Sequence, residues 1–283
     1  MIWLYWIQHI QKNNILKIKN IEKDCEEGKM SFLDLTNKKA IVTGAAQGLS
    51  FGMAEGLMEA GAEVCILDIN PKVIEVAEDF NKRGFKCHGV IANIAKEGER
   101  EEAFSNAVSK LGGHLDIIVN SAGVQRRHKS EEFPLSDWNF VLDVNLTAVF
   151  VLSQLAAKQF MKQNSKGKII NIASMLSFFG GYTVPAYAAS KGGIAQLTKA
   201  FCNEWAEKGI NVNALAPGYM DTEMNVALTD PSNPRYLEIT NRIPAKRWGT
   251  PEDMKGPVVF LASDASDYLN GAIIPVDGGY LVK

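Results

Sequence analysis

From residue 39 onward, short, mainly apolar runs alternate with longer stretches whose apolar positions recur every three or four residues. Runs at 40–43, 63–67, 86–90 and 117–120 predict four strands, and runs at 168–172, 211–216 and 273–276 predict three more. They are mostly runs of Val, Ile and Ala, as expected of strands when both faces are covered. The helical period takes over between most of them, most extensively at 136–161 and 186–207. This alternation predicts an α/β fold, a doubly wound parallel seven-stranded sheet with helices on both faces. Such sheets bind ligands beyond the carboxyl ends of their strands. Gly44, Asp68, Asn93, Asn120, Ser174 and Pro217 each follow a strand there. No repeat or low-complexity linker divides residues 31–283, which read as one domain.

Residues 1–30 depart from this pattern. MIWLYWI is apolar but too short to span a bilayer, and the polar stretch after it carries scattered isoleucines. They read as an extension, a frayed helix or docking arm, with Met30 as an alternative natural start. The whole chain of 283 residues is 46% hydrophobic and 22% charged, enough to bury one large core. A net charge of −2 gives no electrostatic case for nucleic acid or for an anionic membrane. Cys25, Cys65, Cys87 and Cys202 are scattered without metal-ligand spacing. They read as free thiols of a reducing, cytoplasmic compartment, and no metal is expected.

Candidate chemistry begins where the first strand ends. It runs into TGAAQGLS and then into the helical FGMAEGLMEAGA, so Gly44, Gln47, Gly48 and Leu49 lie between a strand and a helix N-terminus. That arrangement offers free backbone N–H groups and the helix dipole to a pyrophosphate. Asp68 ends the next strand about 20 residues on, the spacing at which a carboxylate holds the two hydroxyls of an adenosine ribose. A carboxylate there repels a 2′-phosphate, and Ala45, Ala46, Gln47, Ile69 and Asn70 include no cation to receive one. The expected cofactor is NAD, in a Rossmann-like site.

Further along, YAASK puts Tyr187 and Lys191 on one face of a helix, one turn apart, with Ser174 thirteen residues before the tyrosine. In isolation such a pair is an ordinary tyrosine over a lysine stem. Beside a dinucleotide site it is a device for moving a proton on or off a carbinol. A free phenol has a pKa of about 10. A neighbouring ammonium favours phenolate, and a fall of about 3 units needs about 4 kcal/mol of differential interaction. A serine hydroxyl converging on the same point would hold the substrate oxygen.

TGAAQGLS, NSAG at 120–123, Asn145 in DVNL, Ser174 in NIAS, YAASK at 187–191 and PGYMDT at 217–222 occur in this order. Together they resemble the short-chain dehydrogenase/reductase family over residues 31–283. The resemblance implies four catalytic residues, Asn145, Ser174, Tyr187 and Lys191, with Asn145 and water relaying a proton to Lys191. It implies that Asn120, Ala122 and Gly123 shape the cofactor wall and that Ile69, Asn93 and Ile94 are further cofactor positions. Pro217, Gly218, Met220 and Thr222 would flank the nicotinamide, while Lys191 and Tyr187 reach the ribose. A homotetramer is also implied, and the small residues Ala188, Ala189, Gly192, Gly193 and Ala195 permit close packing. Three positions depart from the family pattern: Ser50 stands for the third glycine, Asn93 for Asp, and Ser121 for the second Asn of N-N-A-G. None removes a catalytic group.

Longer segments, among them GKIINIASMLSFFGGYTVPAYAASKGG and RIPAKRWGTPEDM, are similar to the 2-dehydro-3-deoxy-D-gluconate 5-dehydrogenases, a group also described as 2-deoxy-D-gluconate 3-dehydrogenases. Gluconate 5-dehydrogenases resemble the chain nearly as well. The likeness implies NAD-dependent interconversion of a secondary hydroxyl and a ketone on a sugar acid in uronate catabolism. A sugar acid needs a cation for its carboxylate. Arg126 and Arg127, directly after NSAGVQ, suit bidentate pairing, and Arg242, Lys246 and Arg247 form a second basic group. Solvated surface charge is the other reading of each. Residues 221–243, polar and proline-containing, read as a lid that closes on substrate. Two alternatives stand beside this: a dehydrogenase of a neutral alcohol, with Leu176, Phe178 and Phe179 in its pocket, and an inactive cofactor-binding regulator.

Overall fold

The computed structural model describes residues 32–230 and 232–283, so the amino-terminal extension, Cys25 and the alternative start at Met30 lie outside the described residues. Seven strands are present: β1 (Lys39–Thr43), β2 (Glu63–Asp68), β3 (Cys87–Ile91), β4 (Ile117–Asn120), β5 (Gly167–Ile172), β6 (Ile210–Pro217) and β7 (Ile273–Val276). All pair in parallel, in the order β3-β2-β1-β4-β5-β6-β7. The predicted strands all form, with ends displaced by a single residue at most. The order reverses direction between β1 and β4, which opens a crevice above their carboxyl ends.

Helices α1 (Gly48–Glu59), α2 (Val73–Lys82), α3 (Glu99–Lys110), α4 (Leu135–Leu142), α5 (Ala148–Gln163), α6 (Pro185–Trp205), α7 (Pro234–Arg242) and α8 (Lys255–Ala262) flank the sheet and its loops. Side chains that alternate along each strand feed two cores. Val42 of β1 and Val119 of β4 join Met53 and Leu57 of α1, Phe80 of α2 and Val258 of α8. Ile41 and Ile118 join Phe104 of α3, Phe160 of α5, and Phe201 and Trp205 of α6 on the opposite face. Each fully buried Leu, Ile or Phe contributes about 1.5–3 kcal/mol, which holds the strand ends rigid beneath the crevice.

Two segments differ from their predicted form. Residues 136–161 are not one uniform helix, because a five-residue π turn, Asp143–Thr147, separates α4 from α5. Single π turns inside helices concentrate at functional positions. The predicted lid divides in two. Its first half forms short turns, Glu223–Asn225 and Val226–Thr229, with Val226 exposed. Its second half is α7, anchored where Ile239 and Ile243 are buried with Met175, Trp248 and Tyr280.

Candidate active site

A cavity of about 520 Å³ lies beyond the carboxyl ends of the strands. The turn after β1 shapes one end. Gly44 has φ of +72°, and a Cβ there would meet the Ala122 Cα at 2.7 Å, so conformation and contact both demand glycine. Gly48, Leu49 and Ser50 line the cavity and present the N-terminus of α1 to it, as a pyrophosphate requires. The Thr43 hydroxyl oxygen accepts the N–H groups of Ser121 and Ala122 at 3.0 and 3.1 Å, joining the ends of β1 and β4. Above it, the Ser50 and Ser121 hydroxyls lie 2.7 Å apart. Two of the three departures from the family pattern are therefore each other's partners.

Asp68 stands at the adenosine end. Its Oδ2 accepts the Ala46 N–H at 3.0 Å and its Oδ1 the Asn70 N–H at 2.9 Å, so the backbone fixes the carboxylate in place. Ile69, Asn93 and Ile94 line the same end. The Asn93 Oδ1 accepts the Ala95 N–H at 3.0 Å, leaving one lone pair toward which an adenine amine can donate. Lys191 is the one cationic side chain among the described residues lining the cavity. Glu223, which the sequence did not single out, accepts from Gln47 Nε2 at 2.5 Å and folds the first lid turn over the glycine loop. A glycine in the left-handed region, a free helix N-terminus and a fixed carboxylate fit a nicotinamide dinucleotide.

Ser174, Tyr187 and Lys191 line the other end together. Ser174 leaves β5; its Oγ accepts the Leu176 N–H at 3.2 Å and is hydrogen-bonded to the Tyr187 phenol. Lys191, one turn along α6, has its Nζ 5.6 Å from the centre of the Tyr187 ring and donates to the Ile172 carbonyl at 2.6 Å. Burial pulls the Lys191 ammonium down to about 8. Burial also pushes the Tyr187 phenol up from its usual value, with the Ser174 hydrogen bond opposing. The expected acidic phenol is thus not a property of the bare chain, because the ammonium is turned toward Ile172 and is itself disfavoured by burial. Further positive charge near the ring would favour the phenolate, and a bound oxidised nicotinamide would supply it.

Asn145 sits in the π turn, fully buried behind the cavity wall. Its Oδ1 accepts the Val124 N–H at 2.8 Å, and its Nδ2 donates to the Val124 carbonyl at 2.9 Å and to Ser190 Oγ at 3.3 Å. It thereby ties the loop after β4 to α6. Asn120 is also buried beneath the cavity rather than lining it, and donates to Ser153 Oγ at 3.0 Å and Asn171 Oδ1 at 2.9 Å. Ala122, Gly123, Pro217, Gly218, Met220 and Thr222 line the cavity, as do Val124, Phe140 and Val144, which in the sequence look like ordinary core positions.

The basic residues lie outside the cavity lining. The Arg126 guanidinium stacks 4.7 Å over the Phe140 ring, with its Nε 3.7 Å from Asp137. Arg127 donates to Gln125 Oε1 at 3.4 Å. Arg242 lies 4.2 Å over Tyr280, Lys246 donates to the Asn241 carbonyl at 2.8 Å, and Arg247 makes a fork with Asp253 at 2.7 and 2.6 Å. This second basic group serves the structure around α7. Leu176, Phe178 and Phe179 do not line the cavity either.

The family model described as enoyl-(acyl carrier protein) reductase matches residues 44–281. The chain is 46% identical over 254 residues to a 2-dehydro-3-deoxy-D-gluconate 5-dehydrogenase of Escherichia coli K12, covering 90% of this chain and 99% of that protein. It is 43% identical over 249 residues to a 5-keto-D-gluconate 5-reductase of the same strain, covering 88% and 97%. A crystal structure of a gluconate 5-dehydrogenase from Burkholderia cenocepacia, in complex with NADP and tartrate, superposes with a TM-score of 0.84 at 38% identity, covering 89% and 98%. With so much of the chain shared along the full length of such relatives, and with the serine, tyrosine and lysine meeting at one cavity, the chain belongs to the short-chain dehydrogenase/reductase family.

Proposed function

We propose that this chain interconverts a secondary hydroxyl and a ketone on a sugar acid of the 2-dehydro-3-deoxy-D-gluconate or 2-deoxy-D-gluconate type, with NAD as its cofactor. The observation that carries the reading is one cavity with Ser174, Tyr187 and Lys191 at one end and the glycine turn and Asp68 at the other. The relatives named above act on sugar acids, which supports the substrate class. The Burkholderia enzyme holds NADP. Support for NAD here comes from Asp68 and from the lack of any cation besides Lys191 among the described lining residues.

Bound NAD would supply the acceptor for the hydride of the carbinol carbon. Tyr187 removes the hydroxyl proton from the substrate, and the Ser174 hydroxyl donates a hydrogen bond to the substrate oxygen. Burial pulls the Lys191 ammonium down to about 8, which favours release of its proton and suits it to passing the proton on. Asn145 holds the loop after β4 and α6 in place for that transfer, with water completing the path to solvent. In the opposite direction the same groups reduce the ketone.

Arg126 is the cation we assign to the substrate carboxylate, with Arg127 beside it. Arg126 stacks on Phe140, a residue that lines the cavity, and its pairing with Asp137 leaves it partly exposed. NADH formation with a panel of gluconate-type acids and neutral alcohols tests the whole assignment. Turnover of the acids is expected, with KM raised tenfold or more in Arg126→Ala or Arg127→Ala. Turnover of the neutral alcohols alone, or an unchanged KM in both variants, would reject it.

We further propose a cytoplasmic homotetramer. The helical run 135–163 is strongly apolar, yet only half of its most apolar stretch is buried. Its exposed Leu135, Phe150 and Met161 give a second copy an apolar face to cover. The free thiols of Cys65 and Cys87, buried and pushed up to about 12 by burial, suit a reducing compartment.

A further inference from the structure

The catalytic set comes from two segments that the chain joins loosely. Ser174 belongs to the turn after β5, while Tyr187 and Lys191 belong to α6. Residues 178–183 connect them and are mostly exposed, so covalent linkage alone does not fix how far the serine stands from the phenol. We propose that Ser177 is the positioning residue that sets this distance. Its Oγ donates to the Lys191 carbonyl at 2.7 Å and accepts the Ser174 N–H at 3.3 Å. One hydroxyl therefore binds the backbone of both catalytic segments. The Lys191 side chain closes the circuit, since its Nζ donates to the Ile172 carbonyl at 2.6 Å, two residues before Ser174. The result is a hydrogen-bonded ring through Ile172, Ser174, Ser177 and Lys191, with the Ser174 hydroxyl and the Tyr187 phenol held on its cavity side.

The ring has one weak point. The Lys191 carbonyl keeps its place in the α6 ladder without Ser177, but Ser174 is buried and its N–H has no other partner in the turn. Loss of the Ser177 hydroxyl frees the turn to tilt. A displacement of about 1 Å in a reacting group costs roughly 10²-fold in rate. Ser177 touches neither cavity nor substrate, so cofactor binding is left intact.

The test is a double-mutant cycle with Ser177→Ala and Ser174→Ala, using the alcohol or acid that the wild-type enzyme turns over. Ser177→Ala is expected to lower kcat by about 10- to 100-fold with cofactor Kd changed less than twofold, and to lower it less than twofold further when Ser174 is already Ala. Ser177→Thr keeps the hydroxyl and is expected to stay within about threefold of wild type. Amide hydrogen exchange across residues 173–178 reads the tie independently of any substrate and is expected to quicken about tenfold or more in Ser177→Ala. Unchanged exchange, a kcat within twofold of wild type, an undiminished loss in the Ser174→Ala background, or a parallel loss of cofactor affinity would each overturn the assignment.

Discussion

Asp68→Asn separates charge from shape at the adenosine end of the cavity. Both carboxylate oxygens accept backbone N–H groups, from Ala46 and Asn70. An amide can serve only one, so the variant forfeits about 1–2 kcal/mol of stability in addition to its charge. The electrostatic part can be bracketed. Like unit charges about 4 Å apart repel by about 4 kcal/mol at an effective dielectric constant near 20, and by about 1 kcal/mol in bulk water. Asp68 is partly exposed, which places its repulsion of a 2′-phosphate near 2 kcal/mol, about 30-fold in affinity. A ribose hydroxyl bound to carboxylate rather than amide gains about 1 kcal/mol more, about fivefold. Together the substitution should lower the Kd ratio of NADP to NAD by about 10²-fold, from a wild-type ratio well above one. Calorimetric titration of both dinucleotides into both proteins measures this directly. A ratio that moves less than threefold, or a wild-type chain that prefers NADP, would refute the claim that this carboxylate selects the cofactor.

Tyr187→Phe keeps the ring and removes the proton carrier, so turnover should fall by at least about 10³-fold while NAD affinity changes little; near wild-type turnover would remove the tyrosine from the mechanism. Lys191 gives a pH-dependent stability signature. Its ammonium is lowered from 10.5 to about 8 by burial, so between those values the unfolded chain binds the proton more tightly and stability rises with pH. The penalty, about 3 kcal/mol at most, is full below pH 8 and fades toward pH 10.5. Lys191→Met removes it, offset by about 1 kcal/mol for the lost bond to the Ile172 carbonyl. The variant should therefore melt above wild type at pH 7 and lose that advantage by pH 10, and a difference in midpoint that does not change with pH would contradict the burial argument.

The sheet was legible because its strands are short, mainly apolar runs rich in Val, Ile and Ala, separated by stretches of helical period. The glycine turn, Asp68 and the serine–tyrosine–lysine set were legible for another reason: each works through groups close together along the chain. What escaped the sequence joins distant residues or breaks a period only briefly. The π turn at Asn145 adds a single wide turn to a long helix, too little to disturb the apolar spacing around it. Phe140 and Val144 face the cavity but repeat at the same interval as core positions. Glu223 meets Gln47 across 176 residues, and nothing in a polar lid marks it beforehand. The second basic group shows the opposite case, since Asp253 engages Arg247 and the Tyr280 ring engages Arg242, partners that lie apart from them in the sequence.

The Ser50–Ser121 contact couples two positions that lie far apart in the sequence. Restoring glycine at 50 alone would strand a hydroxyl under the phosphate loop, and restoring asparagine at 121 alone would crowd one. Substitutions at the two positions should therefore act non-additively. Anyone grafting this loop onto a related scaffold would have to carry both serines across.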